Sequence, residues 1–206
     1  MRGVIVGYYT NAFYEHEASR LLKSAIALKL HPCYVTEVQT QNDWKADAHL
    51  RPTFLLDMIE RFPTQPLLSL DVDAFIHEDP WPHLEHYQFL YDIAFHTFKK
   101  TKEKLPGTLL INNTRATRKL LKVWHALNQD RSQHFDRVNF AAAVQIVDEL
   151  RIGALPPELC WIFDLFPSVY GTKQPIIEHL QASRSFKRKG TKLERNRDKR
   201  LEELNS

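Results

Sequence analysis

Apolar positions along this chain switch between a strand-like and a helix-like period. The run Val4-Ile5-Val6-Gly7-Tyr8-Tyr9 is β-branched and aromatic with hardly a break, and it predicts a first strand. Asn11 is a candidate helix cap behind it. Ala18, Leu21, Leu22, Ala25 and Leu28 then recur at helical spacing, with Pro32 as the stop. Residues 33–38 read as a second strand, and residues 39–49 as polar and irregular apart from Trp44. Pro52 is well placed for a helix start, and Phe54, Leu55, Met58, Ile59 and Phe62 form its apolar face. Pro63 and Pro66 lead into Leu67-Leu68-Ser69-Leu70, a short buried strand. This β-α-β-α-β order with short links predicts an α/β fold, a mostly parallel sheet with helices on its faces.

The pattern loosens afterwards. Asp79-Pro80-Trp81-Pro82 reads as a turn, residues 91–96 as a strand, and residues 99–104 as a charged loop. Residues 107–111 form another strand. Thr114 caps a helix that faces Leu120, Leu121, Trp124 and Leu127 inward, and a second helix is expected over 139–150. Residues 152–155 and 161–163 are short strand candidates, and no internal repeat is present.

At 206 residues the chain fits a single domain able to bury a substantial core. No apolar run approaches the roughly 20 residues a bilayer span needs. The first apolar stretch is too short for a signal peptide. Two distant cysteines, Cys33 and Cys160, fit buried thiols in a reduced, cytoplasmic setting better than a disulfide. The formal charge of +3 conceals an asymmetry. From Arg184 onward there are nine Lys/Arg against four Asp/Glu, while the body holds 19 basic and 21 acidic residues. The last 20 or so residues therefore read as a basic tail, either a solvated helix or disordered.

The most informative chemistry sits at the end of the Leu-rich strand. Asp71 and Asp73 are spaced i, i+2 where open α/β sheets place their ligands. Two carboxylates this close repel unless a cation or shared proton intervenes. A metal held by few protein oxygens in turn suggests a phosphate-bearing partner. The plainer alternative is a pair of turn carboxylates capping the next segment. His77, His83 and His86 invite a zinc reading, but no cysteine lies near to complete a structural site. There is no G-x-S-x-G elbow, Walker-type loop or G-x-G-x-x-G.

Further segments carry a resemblance. They are Tyr8-Tyr9-Thr10, Tyr14, Trp44, Arg51-Pro52-Thr53-Phe54, Leu70-Asp71-Val72-Asp73 and Asp79-Pro80. Pro106-Gly107-Thr108, Asn112-Asn113-Thr114, Trp124, Leu155-Pro156-Pro157 and the run from Ile177-Glu178-His179 to Ser183-Arg184 follow. Over about Val4 to Lys187 the chain resembles the nucleotide-diphospho-sugar transferases, glycosyltransferases of the GT-A fold related to the glycogenin-like group. The resemblance implies a mostly parallel mixed sheet in one GT-A domain over residues 1–187, with 188–206 as the tail. It implies Mn²⁺ (or Mg²⁺) bound by Asp71, Asp73 and His179 and bridging the donor's two phosphates. Ser183, Arg184 and Arg51 are then candidates for the diphosphate, and Tyr9 and Thr10 for the nucleoside. Gly107 and Thr108 would lie along the donor sugar. Asp136 is the candidate catalytic carboxylate near sugar and acceptor, although Arg137 stands where relatives have glutamine, and a helix-cap role explains it as well.

The expected activity is transfer of a sugar from a nucleotide-diphosphate donor to an acceptor the sequence does not identify, and the resemblance to the glycogenin-like group implies retention. The basic tail makes a modified base in DNA one acceptor to consider. Two other classes compete. A haloacid-dehalogenase-type Mg²⁺ phosphatase also places D-x-D after a buried strand, but Phe75 stands where that class has Thr or Val, and no Asp-Asp or G-D-x-x-x-D follows. A non-catalytic nucleic-acid-binding module would rely on the tail, which lacks interleaved aromatics.

Overall fold

The computed structural model describes residues 2–183 and 191–205. Its first half follows the expected alternation: β1 (Val4–Tyr9), α1 (Ala12–Ala27), β2 (Cys33–Glu37), a five-residue α2 (Trp44–Ala48), α3 (Arg51–Arg61) and β3 (Leu67–Leu70). The second half comprises β4 (Ala74–Ile76), α4 (Trp81–Leu90), β5 (Ile93–Thr97), β6 (Lys104–Ile111), α5 (Arg115–Asp130), α6 (Asp136–Ile146) and β7 (Ile152–Ala154). A 3-10 turn (Pro157–Cys160), β8 (Trp161–Ile162), α7 (Pro167–Tyr170), β9 (Ile177–His179) and α8 (Lys192–Asn205) complete it.

The main sheet runs β2-β1-β3-β6-β5-β7. Only β6 opposes the other five strands, so the sheet is mixed but mostly parallel. The central strands β1, β3, β5 and β6 are buried on both faces for most of their length, and the period of two divides their side chains between two cores. Val4, Val6, Leu67, Leu109 and Ile111 face α3, α5 and α6, where Trp124 and Phe140 are fully buried with ring centroids 4.7 Å apart. Ile5, Leu68, Leu70 and Leu110 face Leu21 and Ala25 of α1 and Leu84 of α4. Each such side chain contributes about 1.5–3 kcal/mol of burial free energy, so the alternation itself fixes the register.

A small second sheet, β4-β9-β8, attaches beyond the end of β3. Ala74 pairs antiparallel with His179, and Ile76 with Ile177. β4 and β9 have three residues each, too few for an alternating pattern, and neither is marked as a strand by the sequence pattern.

Other departures have local causes. The stretch expected to be irregular contains α2, started by Asp43, whose Oδ1 accepts from the Ala46 amide at 2.9 Å. Asp79-Pro80-Trp81-Pro82 is the entry to α4 rather than an isolated turn; prolines fit a first helical turn, and burial of Trp81 and Leu84 holds it down. The helix expected over 139–150 is α6, shifted to begin at Asp136. Among the tail's described residues, 192–205 form a helix that is not wholly solvated: Arg197 is only 4% exposed. Both cysteines are free; Cys160 is buried, and burial pushes the half-buried Cys33 thiol up to about 11.

Candidate active site

The carboxyl ends of β1 and β3 open into a cleft of about 180 Å³. At the end of β3 the chain turns tightly: the Asp71 amide donates to the Gly107 carbonyl at 2.9 Å, and the Ala74 amide donates back to the Asp71 carbonyl. Both acids of the motif thereby face one place. His179 arrives there from β9, because its strand partner Ala74 directly follows Asp73. One ligand atom from each of Asp71, Asp73 and His179 lies within 4.8 Å of the others.

The surroundings orient these three groups. The Thr108 hydroxyl sits 2.7 Å from His179 Nε2, leaving Nδ1 to face Asp73 Oδ1 at 3.7 Å. The Ala182 amide donates to Asp73 Oδ2 at 2.8 Å, whereas Oδ1 is buried and accepts no hydrogen bond among the described residues. A buried carboxylate oxygen without a donor is the kind of atom a cation satisfies. Two carboxylates and an imidazole suit Mn²⁺ better than Ca²⁺, which prefers oxygen throughout. Burial works against a proton on His179, but the facing Asp73 and Cys160 outweigh it and its pKa is pushed up to about 10. The Asp73 carboxyl is also buried, yet His179 holds it below the usual carboxylate range. Proton and cation thus compete for the same imidazole nitrogen.

Arg51 lines the cleft beside Asp71. Its Nη1 is 2.8 Å from Asp71 Oδ1 and donates to the Pro106 carbonyl at 2.6 Å, while Nε is 3.3 Å from Asp136 Oδ2. Burial works against its charge, but Asp71 and Asp136 raise its pKa further above the ordinary range. Arg51 is thus committed to two carboxylates. Asp136 is 6% exposed, accepts from Asn128 Nδ2 at 3.0 Å, and does not line the cleft. Burial raises its pKa, and Arg51 pulls it partly back. Nor does Asp136 cap α6, since Phe135 holds the cap position.

The remaining expected residues divide. Tyr9, Thr10 and Ser183 line the cleft with Asp71 and Asp73. Gly107 lies against the acidic cluster: a methyl there would stand 3.1 Å from Asp71 Oδ2 and 3.2 Å from His179 Cε1. Thr108, expected along the donor sugar, is fully buried, so its contact is with His179 instead. Arg184 lies outside the described residues. Of the three histidines in 77–86, His77 bonds Glu178 and His83 bonds Glu78, and they share no site. Tyr14, Asp47 and Gln181 also line the cleft, although the sequence assigns them no role there. Asp47 anchors the loop before α2, accepting from Thr40 Oγ1 and the Gln41 amide; the acid-rich 43–47 stretch is its only signal.

The sequence matches no protein-family profile and no curated protein. Among solved structures, the chain is similar to a glycosyltransferase involved in glycosylation of the major capsid of PBCV-1. Identity is 13%, the TM-score is 0.70, and 97% of this chain and 98% of that one are covered. It is also similar to the glycosyltransferase GlyE of Streptococcus pneumoniae TIGR4, at 14% identity and TM-score 0.59, covering 87% of this chain and 54% of that one. A third is the galactosyltransferase LgtC in complex with donor and acceptor sugar analogs: 10% identity, TM-score 0.56, with 85% and 86% covered. At these identities the likeness is one of architecture, and the chain has the fold of the GT-A glycosyltransferases.

Proposed function

We propose that this protein is a metal-dependent glycosyltransferase that takes its sugar from a nucleoside-diphosphate donor. The observation that carries this reading is the convergence of Asp71, Asp73 and His179 at the mouth of a cleft on a GT-A fold. The competing phosphatase reading fits less well: Asp71, which would be its nucleophile, is held by Arg51, and Phe75 lies in β4 of the second sheet.

Asp71, Asp73 and His179 would hold Mn²⁺ or Mg²⁺. A cation held there would supply Lewis-acid stabilisation of charge on the departing nucleoside diphosphate. Arg51 holds Asp71 in place through their ion pair, and Asp136 sets the position of that guanidinium. Asp136 therefore acts as a positioning residue, not as the carboxylate that touches sugar. Gly107 allows close backbone approach beside the ligands. Tyr9 and Thr10 receive the nucleoside, while Ser183 and Arg184 bind the diphosphate. Retention at the anomeric carbon is part of the proposal, read by NMR of the first-formed product.

Among the described residues no helix is long and apolar enough to cross a membrane. For the acceptor, a modified base in DNA belongs in the first assay panel beside simple saccharides. The decisive experiment is a panel of nucleotide sugars with Mn²⁺ or with EDTA, read by donor hydrolysis and by thermal shift. One donor should raise the melting temperature and be hydrolysed only with Mn²⁺. A panel with no metal-dependent response to any donor would overturn the proposal.

A further inference from the structure

A basic tail that merely keeps the chain in solution has no reason to bury an arginine, since burying an unpaired charge is costly. Yet Arg197 of α8 is 4% exposed. Its Nη2 pairs at 2.6 Å with Glu17 Oε1 of α1, itself 3% exposed, and its Nε donates to the Leu180 carbonyl at 3.0 Å. One turn on, Arg200 forks onto Glu178, with Nε 2.9 Å from Oε1 and Nη2 2.8 Å from Oε2. His77 adds a third bond to the same carboxylate at 2.7 Å.

The residues so gripped flank His179 on both sides. Glu178 precedes it on β9, and the strand's period of two turns the two side chains to opposite faces. Leu180 follows it, and the segment beyond reaches the other ligand: the Leu180 amide donates to the Asp73 carbonyl at 3.1 Å and the Ala182 amide to Asp73 Oδ2 at 2.8 Å. One short stretch of backbone therefore joins both arginines to two of the three acidic-cluster residues. A bidentate arginine fixes orientation as well as charge, which a lysine or an apolar contact would not do.

We infer that α8 is a brace for the cation site, in which Arg197 and Arg200 act as positioning residues that hold His179 and Asp73 in ligating geometry. This rests on reading Asp71, Asp73 and His179 as cation ligands. The linkage is reciprocal: if docked α8 favours the cation, the cation favours docked α8.

The test is titration of the full chain with Mn²⁺ by calorimetry, for the wild type and for Arg200→Ala, Arg197→Lys and Lys199→Ala. Groups that orient metal ligands typically contribute about tenfold to a hundredfold in affinity, and Arg200→Ala should weaken Mn²⁺ by that much. Arg197→Lys keeps the charge for Glu17 but loses the bond to Leu180, and should also bind more weakly. Lys199→Ala removes one positive charge from the exposed side of the same helix and should bind as the wild type does. Equal weakening by Lys199→Ala would reduce the effect to a general field and overturn the brace. Unchanged Mn²⁺ affinity in Arg200→Ala would overturn it too. A wild type that binds no Mn²⁺ overturns the cation site itself, a separate outcome. Hydrogen exchange needs no variant: Mn²⁺ should slow amide exchange over 192–205 in the wild type, and unaltered exchange there with Mn²⁺ bound rejects the coupling.

Discussion

The two walls of the cleft are built differently. The wall that carries Asp71, Asp73 and His179 is made of strand ends, and its groups are cross-tied by Thr108, Arg51 and the amides of residues 180 and 182. Another part of the cleft is lined from the five-residue α2, whose Trp44 packs against Phe135 at the entry to α6. There Trp44 is 37% exposed and Phe135 43% exposed, with ring centroids 6.4 Å apart. Trp44 Nε1 donates to the Tyr14 hydroxyl at 3.0 Å, and Lys45 Nζ reaches the Gln133 carbonyl at 2.9 Å. Charge chemistry needs groups held in place before the reaction, whereas a face that receives an apolar or ring-shaped partner needs area. Under the proposed function, the donor's diphosphate belongs on the tied wall and the aromatic rim is left for the acceptor.

The largest break in this contrast should come from the tied wall. His179→Ala or Asp73→Ala should abolish measurable Mn²⁺ binding and lower turnover on the order of 10²–10³-fold, the cost of losing one preorganised contact to developing charge. Retained Mn²⁺ affinity in either variant would reject the assignment. Acidity should act on the same wall. His179, with its pKa pushed up to about 10, holds a proton through the neutral range that a cation must displace. Mn²⁺ affinity should therefore rise about tenfold per pH unit between about pH 6 and 8, one proton leaving per cation. A flat profile would mean that the imidazole is not a ligand.

Smaller changes test how tightly the wall is fitted. Gly107→Ala puts a methyl 3.1 Å from Asp71 Oδ2, and Thr108→Val removes the partner of His179 Nε2. Each should weaken Mn²⁺ by about tenfold while the folded chain persists, the usual scale for groups that orient metal ligands. The smallest effect on the metal is expected from the rim. Phe135→Ala should leave Mn²⁺ affinity unaltered and change stability by no more than about 0.5 kcal/mol, as exposed positions do, while raising the acceptor KM. If it weakens Mn²⁺ as much as Thr108→Val does, the two walls are not separate.

The sequence is most legible where period and burial coincide. β1, α1, α3, β3 and α5 follow directly from unbroken apolar patterns, and Asn11 and Thr114 cap their helices through bonds to the Tyr14 and Thr117 amides. The Asp71–Asp73 pair is legible because a rigid Leu-rich strand ends in two repelling charges. His179 lies more than a hundred residues away on a three-residue strand, and only the family resemblance connects it to the acids. The family resemblance makes Arg51 a candidate for the diphosphate, and it does line the cleft, but the sequence carries no sign of its carboxylate partners. Its commitment to Asp71 and Asp136 needs three segments brought together. The tail misleads for a related reason. Arg197 and Lys199 look alike in a charged run, and only packing tells the buried cation from the exposed one.

The Glu17–Arg197 contact also bears on the order in which the molecule comes together. It closes a loop of 180 positions, and the Asp73–His179 approach spans more than a hundred. Contacts that distant are among the last a chain can make, because loop-closure entropy must be met before they return anything. The first half, β1 to β3, can condense early and will then carry two neighbouring carboxylates without their imidazole. Competence for the cation should therefore appear late in refolding, after most of the helical signal has already recovered.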